Sequence, residues 1–393
     1  MIIKPMIRNN ICMNAHPKGL AIETQKQIDY VKNQSRLNGP KRVLVIGGSA
    51  GYGLASRIVA AYGCDAATIN VAFERPATEK RTATVGWYNT EYFEKRARSD
   101  GKEVATVYGD AFSDEVKDQV VELIKEKWGS VDLIVYSLAS PMRTDPRSGE
   151  TYRSVLKPVG EPFTARTIDT MTGEFKTVTA EPATEQEIQA TVKVMGGEDW
   201  ELWIDRLLEE GLLSQGVKTV AYSYIGPELI RRVYREGSIG KAKEHLEATA
   251  KGLTAKLSGI AGSAFVSVNK AVVTRASSVS PVVPLYGVIL FRVMKEMGLH
   301  EGTIEQIYRL FAERLYAAEN SDARAIPVDD EGRIRIDDWE MRDDVQAKVR
   351  ELFDSVDESS LHEVTDIDAY HNEFLKIHGF GVEGVDYDED VEP

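Results

Sequence analysis

The run Arg42-Val-Leu-Val-Ile46, followed at once by Gly47-Gly-Ser-Ala-Gly-Tyr-Gly53, constrains this chain more than any other feature. A short β-branched run without polar alternation reads as a strand buried on both faces. The glycines permit a sharp turn, and the pattern Leu54–Tyr62 reads as a helix. Strand, glycine turn and helix in that order bring backbone N–H groups and the positive end of a helix dipole to one point. That point is a cradle for a phosphate, with Gly47, Gly48, Ser49, Ala50, Gly51 and Tyr52 as its candidate residues.

The rhythm continues. Ala67–Glu74, Glu103–Tyr108, Val131–Tyr136, Val217–Tyr222 and Ala264–Asn269 read as strands. Ser113–Trp128 and about Ile239–Leu257 read as helices between them. Strands alternating with helices predict an α/β fold, a Rossmann-type doubly wound parallel sheet. Residues 142–200 break the pattern. Thr167–Ala180 reads as a hairpin around Met171-Thr-Gly173, and Thr184-Glu-Gln-Glu187 as a capping box. Helices are expected at about Leu285–Met297 and from Thr303, capped with Gln306, to about Asn320. The first 40 residues carry no regular pattern.

The 393 residues suit one large domain. Its dinucleotide-binding core is expected in 41–140 and 215–275, and its substrate-binding extensions, an inserted hairpin and helices, in 142–214 and 276–330. Residues 331–393 form an acidic segment expected to pack on the core, and the closing run Asp386–Glu392 reads as a solvated surface.

A formal charge of −14 argues against nucleic-acid binding. Two cysteines, Cys12 and Cys64, support neither a disulfide framework nor a thiolate metal site. The six histidines are scattered without ligand spacing, so no metal is expected. The apolar stretch Val282–Phe291 contains Pro284 and is too short to span a bilayer. Met1–Asn14 lacks the apolar core of a signal peptide. No membrane insertion and a cytoplasmic location are expected.

Glu74 stands roughly twenty residues beyond the glycine turn, where an acidic residue binds the adenosine ribose hydroxyls. Its charge would repel a 2′-phosphate, which favours NADH, although Arg75 keeps NADPH open. Asp110 and Ala111 follow the third strand, and Leu138 and Ala139 the fourth, where ligands of such sheets gather. The spacing G-x-x-x-G-x-G resembles the short-chain dehydrogenase/reductase form of the turn.

That form normally carries Tyr-x-x-x-Lys, yet none of the 16 tyrosines has lysine four residues on. Tyr234 instead has Lys241 at Tyr-x6-Lys and Lys243 at Tyr-x8-Lys spacing. Positions nine apart on one helix lie on opposite faces and about 13–14 Å apart along the axis. Gly237-Ser-Ile-Gly240 offers a break, with Gly237 ending one helical stretch and Ser238 capping the next. A tyrosine hydroxyl beside an ammonium can stabilise or protonate a developing oxyanion. Spacing alone leaves Lys241 and Lys243 both open.

The chain resembles the trans-2-enoyl-CoA / enoyl-acyl-carrier-protein reductases of the FabV type. The resemblance runs through Gly47–Gly53, Gly86-Trp-Tyr-Asn89, Val135-Tyr-Ser-Leu-Ala139, Val194-Met-Gly-Gly-Glu-Asp-Trp200, Ala221-Tyr-Ser-Tyr-Ile-Gly226, Tyr234 to Lys243 and Phe265-Val-Ser-Val-Asn-Lys270. It implies Tyr-x8-Lys, hence Lys243, with Tyr234 as proton donor and Tyr224 on the substrate carbonyl. It implies cofactor contacts at Phe73, Glu74, Asp110, Ala111, Leu138, Ala139, Lys243, Val272, Val273 and Thr274. The implied activity is NADH-dependent reduction of a trans-2-enoyl thioester, on coenzyme A or acyl-carrier protein, by a monomer. A ketoacyl or alcohol dehydrogenase on the same sheet and a non-catalytic NAD(H) sensor are the alternatives.

Overall fold

The computed structural model describes residues 1–8, 11–273, 283–320 and 325–392. Seven strands form the main sheet: β1 Arg42–Ile46, β2 Ala67–Ala72, β3 Val104–Tyr108, β4 Val131–Tyr136, β5 Leu213–Ser223, β6 Ser263–Val268 and β7 Ile334–Arg335. Their order is β7-β6-β5-β4-β1-β2-β3, and every pairing is parallel. This is the doubly wound order, which reverses between β1 and β4 and opens a crevice there at the strand C-termini.

Apolar residues on both faces of β1 account for its central place. Val43 and Val45 join one core cluster with Leu54, Ile58, Phe93 and Leu310. Leu44 and Ile46 join the other with Val120, Ile124, Trp200, Trp203 and Leu253. A third cluster lies away from the sheet. The helix Val283–Glu296 builds it with Val345, Val349, Tyr370 and Phe374 of the C-terminal segment, and Tyr224 and Tyr234 pack against it.

Several elements depart from the sequence expectations. β2 ends at Ala72, so Phe73 and Glu74 lie beyond the strand. The helix after the glycine turn starts at Gly51 and closes in a π-turn, Val59–Gly63. The first 40 residues hold a helix, Pro17–Lys32, with the His16 ring accepting from Gly19 N–H at its start. Helices Val85–Ser99 and Glu198–Glu209 lay outside the expected pattern as well. The insertion carries two hairpins, Met142–Thr144 with Thr151–Arg153 and Phe163–Ile168 with Phe175–Ala180. Thr184 and Glu187 do form a capping box. Thr303 and Gln306 do not: Gly302 is the cap, and its N–H donates to Glu305 Oε2 at 3.0 Å. Gln306 is drawn elsewhere, as described below. The acidic segment contains the helices Asp343–Ser355 and Ile367–Lys376.

Tyr234 stands in a turn, and a single helix, Ser238–Lys256, carries Lys243. Gly237 is its cap. Ser238 is already helical, and its hydroxyl donates to Val155 O at 2.5 Å rather than capping the helix. Gly240 lets the first helical turn rest on the preceding one: a Cβ there would stand 2.0 Å from Arg235 O and 2.6 Å from Tyr234 O. Gly252, in the same helix, has nothing within 4 Å of such an atom. Gly252→Ala should therefore stabilise the protein by about 0.5–1 kcal/mol. Gly240→Ala should destabilise it by about 1–3 kcal/mol. Urea unfolding of both variants measures the contrast, and equal effects would contradict the contact at Gly240.

Candidate active site

The crevice starts at Gly47. Its φ of +88° is a conformation that L side chains rarely adopt. A Cβ there would also lie 2.4 Å from Ser137 O, so the turn after β1 touches the end of β4. The Gly47 N–H donates to Val71 O at 2.9 Å, and the Gly48 N–H to Asn70 Oδ1 at 2.8 Å. These bonds leave the turn rigid and close to the sheet. The helix Gly51–Ile58 begins there, with Ala50 as a cap that makes no side-chain bond. Its first N–H groups and its dipole face the crevice, as an anion site requires.

The other expected residues divide. Ser49 Oγ donates to Glu74 Oε1 at 2.8 Å. Gly86 makes room for that carboxylate, since a Cβ on it would lie 2.1 Å from Glu74 Oε1. Asn89 Nδ2 ties down Ser49 O at 3.1 Å. Glu74 is thus fixed beside the cradle, half-buried, with Arg75 exposed next to it. Phe73 is 79% exposed, an aromatic face left uncovered just past the end of β2. Leu138 packs beside Gly47, while Ala139 is exposed. Tyr52 does not turn its ring into the crevice. Its hydroxyl donates inward, to Lys270 O at 2.7 Å and Gln306 Oε1 at 3.0 Å, which is where Gln306 is drawn.

Beyond β3, Asp110 Oδ1 accepts from Phe112 N–H at 3.0 Å. Ala111 O accepts from Lys117 Nζ and from Trp203 Nε1, each at 3.1 Å. Lys117 pairs in turn with the buried Asp199 at 2.9 Å. The Gly-Gly-Glu-Asp-Trp motif therefore supports this loop from below. Val273 is buried in the third cluster. Thr274 lies outside the described residues.

At the end of β5 the Tyr224 and Tyr234 rings meet edge to face, with centroids 5.2 Å apart. Lys243 Nζ donates to Tyr222 O at 3.4 Å, on the same strand end. Lys241 points away and pairs with Glu244 at the surface, at 2.9 Å. Burial pulls the Lys243 ammonium down to about 8, against the nearby Glu247 carboxylate. Burial, followed by Glu340, pushes the Tyr224 phenol well up.

Glu340 escaped the sequence reading. β7 pairs beside β6, and Ile336 and Asp337 hydrogen-bond Val268 O, which carries the chain over the end of β6. Glu340 Oε1 then lies 3.0 Å from the Tyr224 hydroxyl and 2.7 Å from that of Tyr286. Among the described residues, no His/Cys/Asp/Glu group could hold a metal, and no helix is long and apolar enough to cross a membrane.

A family model described as the trans-2-enoyl-CoA reductase catalytic region matches residues 81–316. The NAD(P)H binding domain of trans-2-enoyl-CoA reductase matches 2–79, and an enoyl reductase FAD binding domain matches 328–391. The chain is 54% identical to the NADH-dependent enoyl-[acyl-carrier-protein] reductase of Coxiella burnetii, over 100% of this chain and 96% of that one. Trans-2-enoyl-CoA reductase of Treponema denticola, solved with NAD, superposes with a TM-score of 0.94 at 54% identity, covering 100% and 98% of the two chains. The Clostridium acetobutulicum enzyme, solved with NADH, superposes at 0.96 with 43% identity and the coverage 100% and 98%.

The residues around Gly47 fit a dinucleotide: a tight glycine turn leads straight into the N-terminus of the helix Gly51–Ile58, whose first N–H groups suit a pyrophosphate. Residues 328–391 do not fit a flavin. Their strand Ile334–Arg335 runs into Ile336-Asp-Asp-Trp-Glu340 without a glycine turn. Their buried polar groups face one another or the core: Arg335 holds Asp337 at 2.7 Å, and Glu340 meets the two tyrosines.

Lys243 keeps its charge below about pH 8 and loses it above. If Lys243 holds the dinucleotide, NADH affinity, followed by fluorescence titration, should fall roughly tenfold as pH rises through that value, the loss of one charge-assisted hydrogen bond. In Lys243→Met the affinity should be low and flat. A flat profile in the unaltered protein would remove Lys243 from the cofactor site.

Proposed function

The chain belongs to the trans-2-enoyl-CoA reductase family, and we propose that it reduces the 2,3-double bond of a trans-2-enoyl thioester, on coenzyme A or acyl-carrier protein, with NADH. One observation carries this reading: two tyrosines in contact at the end of β5, with a half-buried lysine on the next helix reaching the same strand end. The dinucleotide lies along the crevice, its pyrophosphate at Gly47–Gly51 and its adenosine between Phe73, Glu74, Asp110 and Ala111. Leu138, Ala139, Val272 and Val273 line its path to the reacting end, and the family resemblance adds Thr274. NADH bound there supplies the hydride that adds to the substrate β-carbon.

The protein's task is the charge that this addition drives onto the thioester oxygen. A hydroxyl aimed at that oxygen stabilises the enolate, and a proton must then reach the α-carbon. Tyr234 takes the donor role, and Tyr224 holds the carbonyl. Lys243 binds the ribose at the nicotinamide end and keeps a positive charge near the Tyr234 phenol. The third apolar cluster lies against both tyrosines, where it shields the reacting atoms from water and offers an acyl chain an apolar wall. Residues 41–140 and 215–275 bind the dinucleotide, 142–214 and 276–330 shape the substrate side, and 331–393 pack on the core. The reading carries a cytoplasmic monomer with it.

Steady-state kinetics with crotonyl-CoA test the reaction. Tyr234→Phe should lower kcat by about 10²–10⁴, the usual loss of one positioned proton donor. Normal turnover by that variant would refute the role. Activity on acetoacetyl-CoA alone would install a ketoacyl dehydrogenase instead. Tight NADH binding with no turnover would install a sensor.

Glu74→Ala should narrow the preference for NADH over NADPH by roughly tenfold or more, since it removes a like charge from the 2′-phosphate position. An unchanged kcat/KM ratio for the two cofactors would place discrimination elsewhere.

A further inference from the structure

Glu340 is wholly buried, and its hydrogen bonds have a direction. Its Oε2 accepts from Ala271 N–H at 2.7 Å. Its Oε1 is shared by two hydroxyls, those of Tyr224 at 3.0 Å and Tyr286 at 2.7 Å. Gln346 settles what Tyr286 does. Gln346 Nε2 donates to Glu340 O at 2.7 Å, and the same nitrogen lies 3.2 Å from the Tyr286 hydroxyl, to which it donates. Tyr286 thus accepts from Gln346 and turns its own proton onto Glu340 Oε1.

Two arrangements of the last contact are then open in principle. An ionised Glu340 would require Tyr224 to donate to Oε1 as well, which leaves Tyr224 no proton for a ligand. A neutral Glu340 carries its proton on Oε1, because an N–H occupies Oε2. With Tyr286 already donating to Oε1, that proton points at Tyr224.

We propose that Glu340 is a positioning residue, held as the neutral acid, whose hydrogen bond to Tyr224 turns the Tyr224 proton outward to the substrate carbonyl. The relay runs from Gln346 through Tyr286 and Glu340 to Tyr224, and it rests on the reading of Tyr224 given above. The surroundings favour the neutral form. Burial pushes the Glu340 carboxyl up, and Asp337 adds to this, against the Ala271 N–H, the Lys270 ammonium and the Tyr286 hydroxyl. Lys270 is itself pulled down to about 8 by burial, and its Nζ donates to Ala271 O and Glu301 O rather than to Glu340. Tyr52 also faces this cluster. The segment that matches a flavin-domain model thus acts here on a tyrosine of the reductase site.

Four variants test the relay by kcat with crotonyl-CoA at saturating NADH: Tyr224→Phe, Glu340→Ala, their double variant and Glu340→Gln. Tyr224→Phe and Glu340→Ala should each lower kcat by about 10–100-fold, with NADH affinity unchanged. The double variant should be no slower than either single one, since both remove the same hydrogen bond. With its oxygen on Ala271 N–H, glutamine offers one N–H to Tyr224 and the other to Tyr286, whose hydroxyl then accepts, so Glu340→Gln should recover most of that loss. Losses that multiply in the double variant would overturn the proposal. A Glu340→Gln variant as slow as Glu340→Ala would overturn it too, because the group required would then be a carboxylate. If Glu340→Ala fails to fold, the glutamine variant alone decides between these outcomes. An unchanged Tyr224→Phe would sink the reading of Tyr224, and the relay with it. A slow Tyr224→Phe beside fast Glu340 variants would sink the relay alone.

Discussion

The reversal of strand order between β1 and β4 organises this molecule. Two chain segments leave neighbouring strands in opposite directions, and the crevice between them is where backbone amides lie uncovered. The approach is so tight that only a glycine fits at position 47, against Ser137 O. The consequences spread from there. The Asn70 side chain holds Gly48 from β2, and Ser49 holds Glu74 from beyond β2. The contact that shapes the phosphate cradle therefore also fixes the carboxylate beside it.

The substrate side rests on a different support, the third apolar cluster. Packing carries most of the C-terminal segment's hold on it, beside the part-buried pair of Arg309 with Asp338 at 2.8 Å. Lys4 with Asp388 and Lys18 with Glu389 are exposed pairs at 2.6 and 2.5 Å, each contributing about 0–1 kcal/mol at most. Phe374 and Phe380 are 5% and 2% exposed, and burying one such ring contributes about 1.5–3 kcal/mol. An acidic tail is thus anchored by its few aromatic residues, and the anchoring holds Glu340 beneath Tyr224.

That difference between supports explains what could be read in the sequence. β1 and β4 have the bounds that their apolar runs predict, because a strand buried on both faces announces itself locally. β2 ends two residues short of Glu74, because both Phe73 and Glu74 leave the ladder, Glu74 to meet Ser49 and Phe73 to stand exposed. The choice between Lys241 and Lys243 was illegible from spacing. It depends on the helix starting at Ser238, which puts Lys241 on the outer face and Lys243 on the inner one. Glu340 was illegible for another reason. It stands in Asp337-Asp-Trp-Glu340, which looks like a solvated run, and its tyrosine partners are 116 and 54 residues away. Nothing periodic links them. The failed capping box at Thr303 belongs to the same class: Gln306 has a distant partner in Tyr52, and Glu305 takes the cap.

A site of this kind faces two demands that oppose each other. An acyl chain calls for apolar walls, yet the reaction drives negative charge onto an oxygen beside those walls. Low dielectric makes a fixed ion there costly, while it strengthens any hydrogen bond aimed at the charge as it forms. Around the two tyrosines the arrangement answers chiefly with hydroxyls, while the Lys270 ammonium beside them is taken up by the carbonyls of Ala271 and Glu301. Burial pushes the Tyr224 and Tyr286 phenols and the Glu340 carboxyl up, so all three keep their protons more firmly than they would in water. The Glu74 carboxylate lies beside the glycine turn, and the Lys243 ammonium, which burial weakens, at the end of β5. On the proposed reading, hydroxyls thus meet the acyl wall while Glu74 and Lys243 meet the dinucleotide.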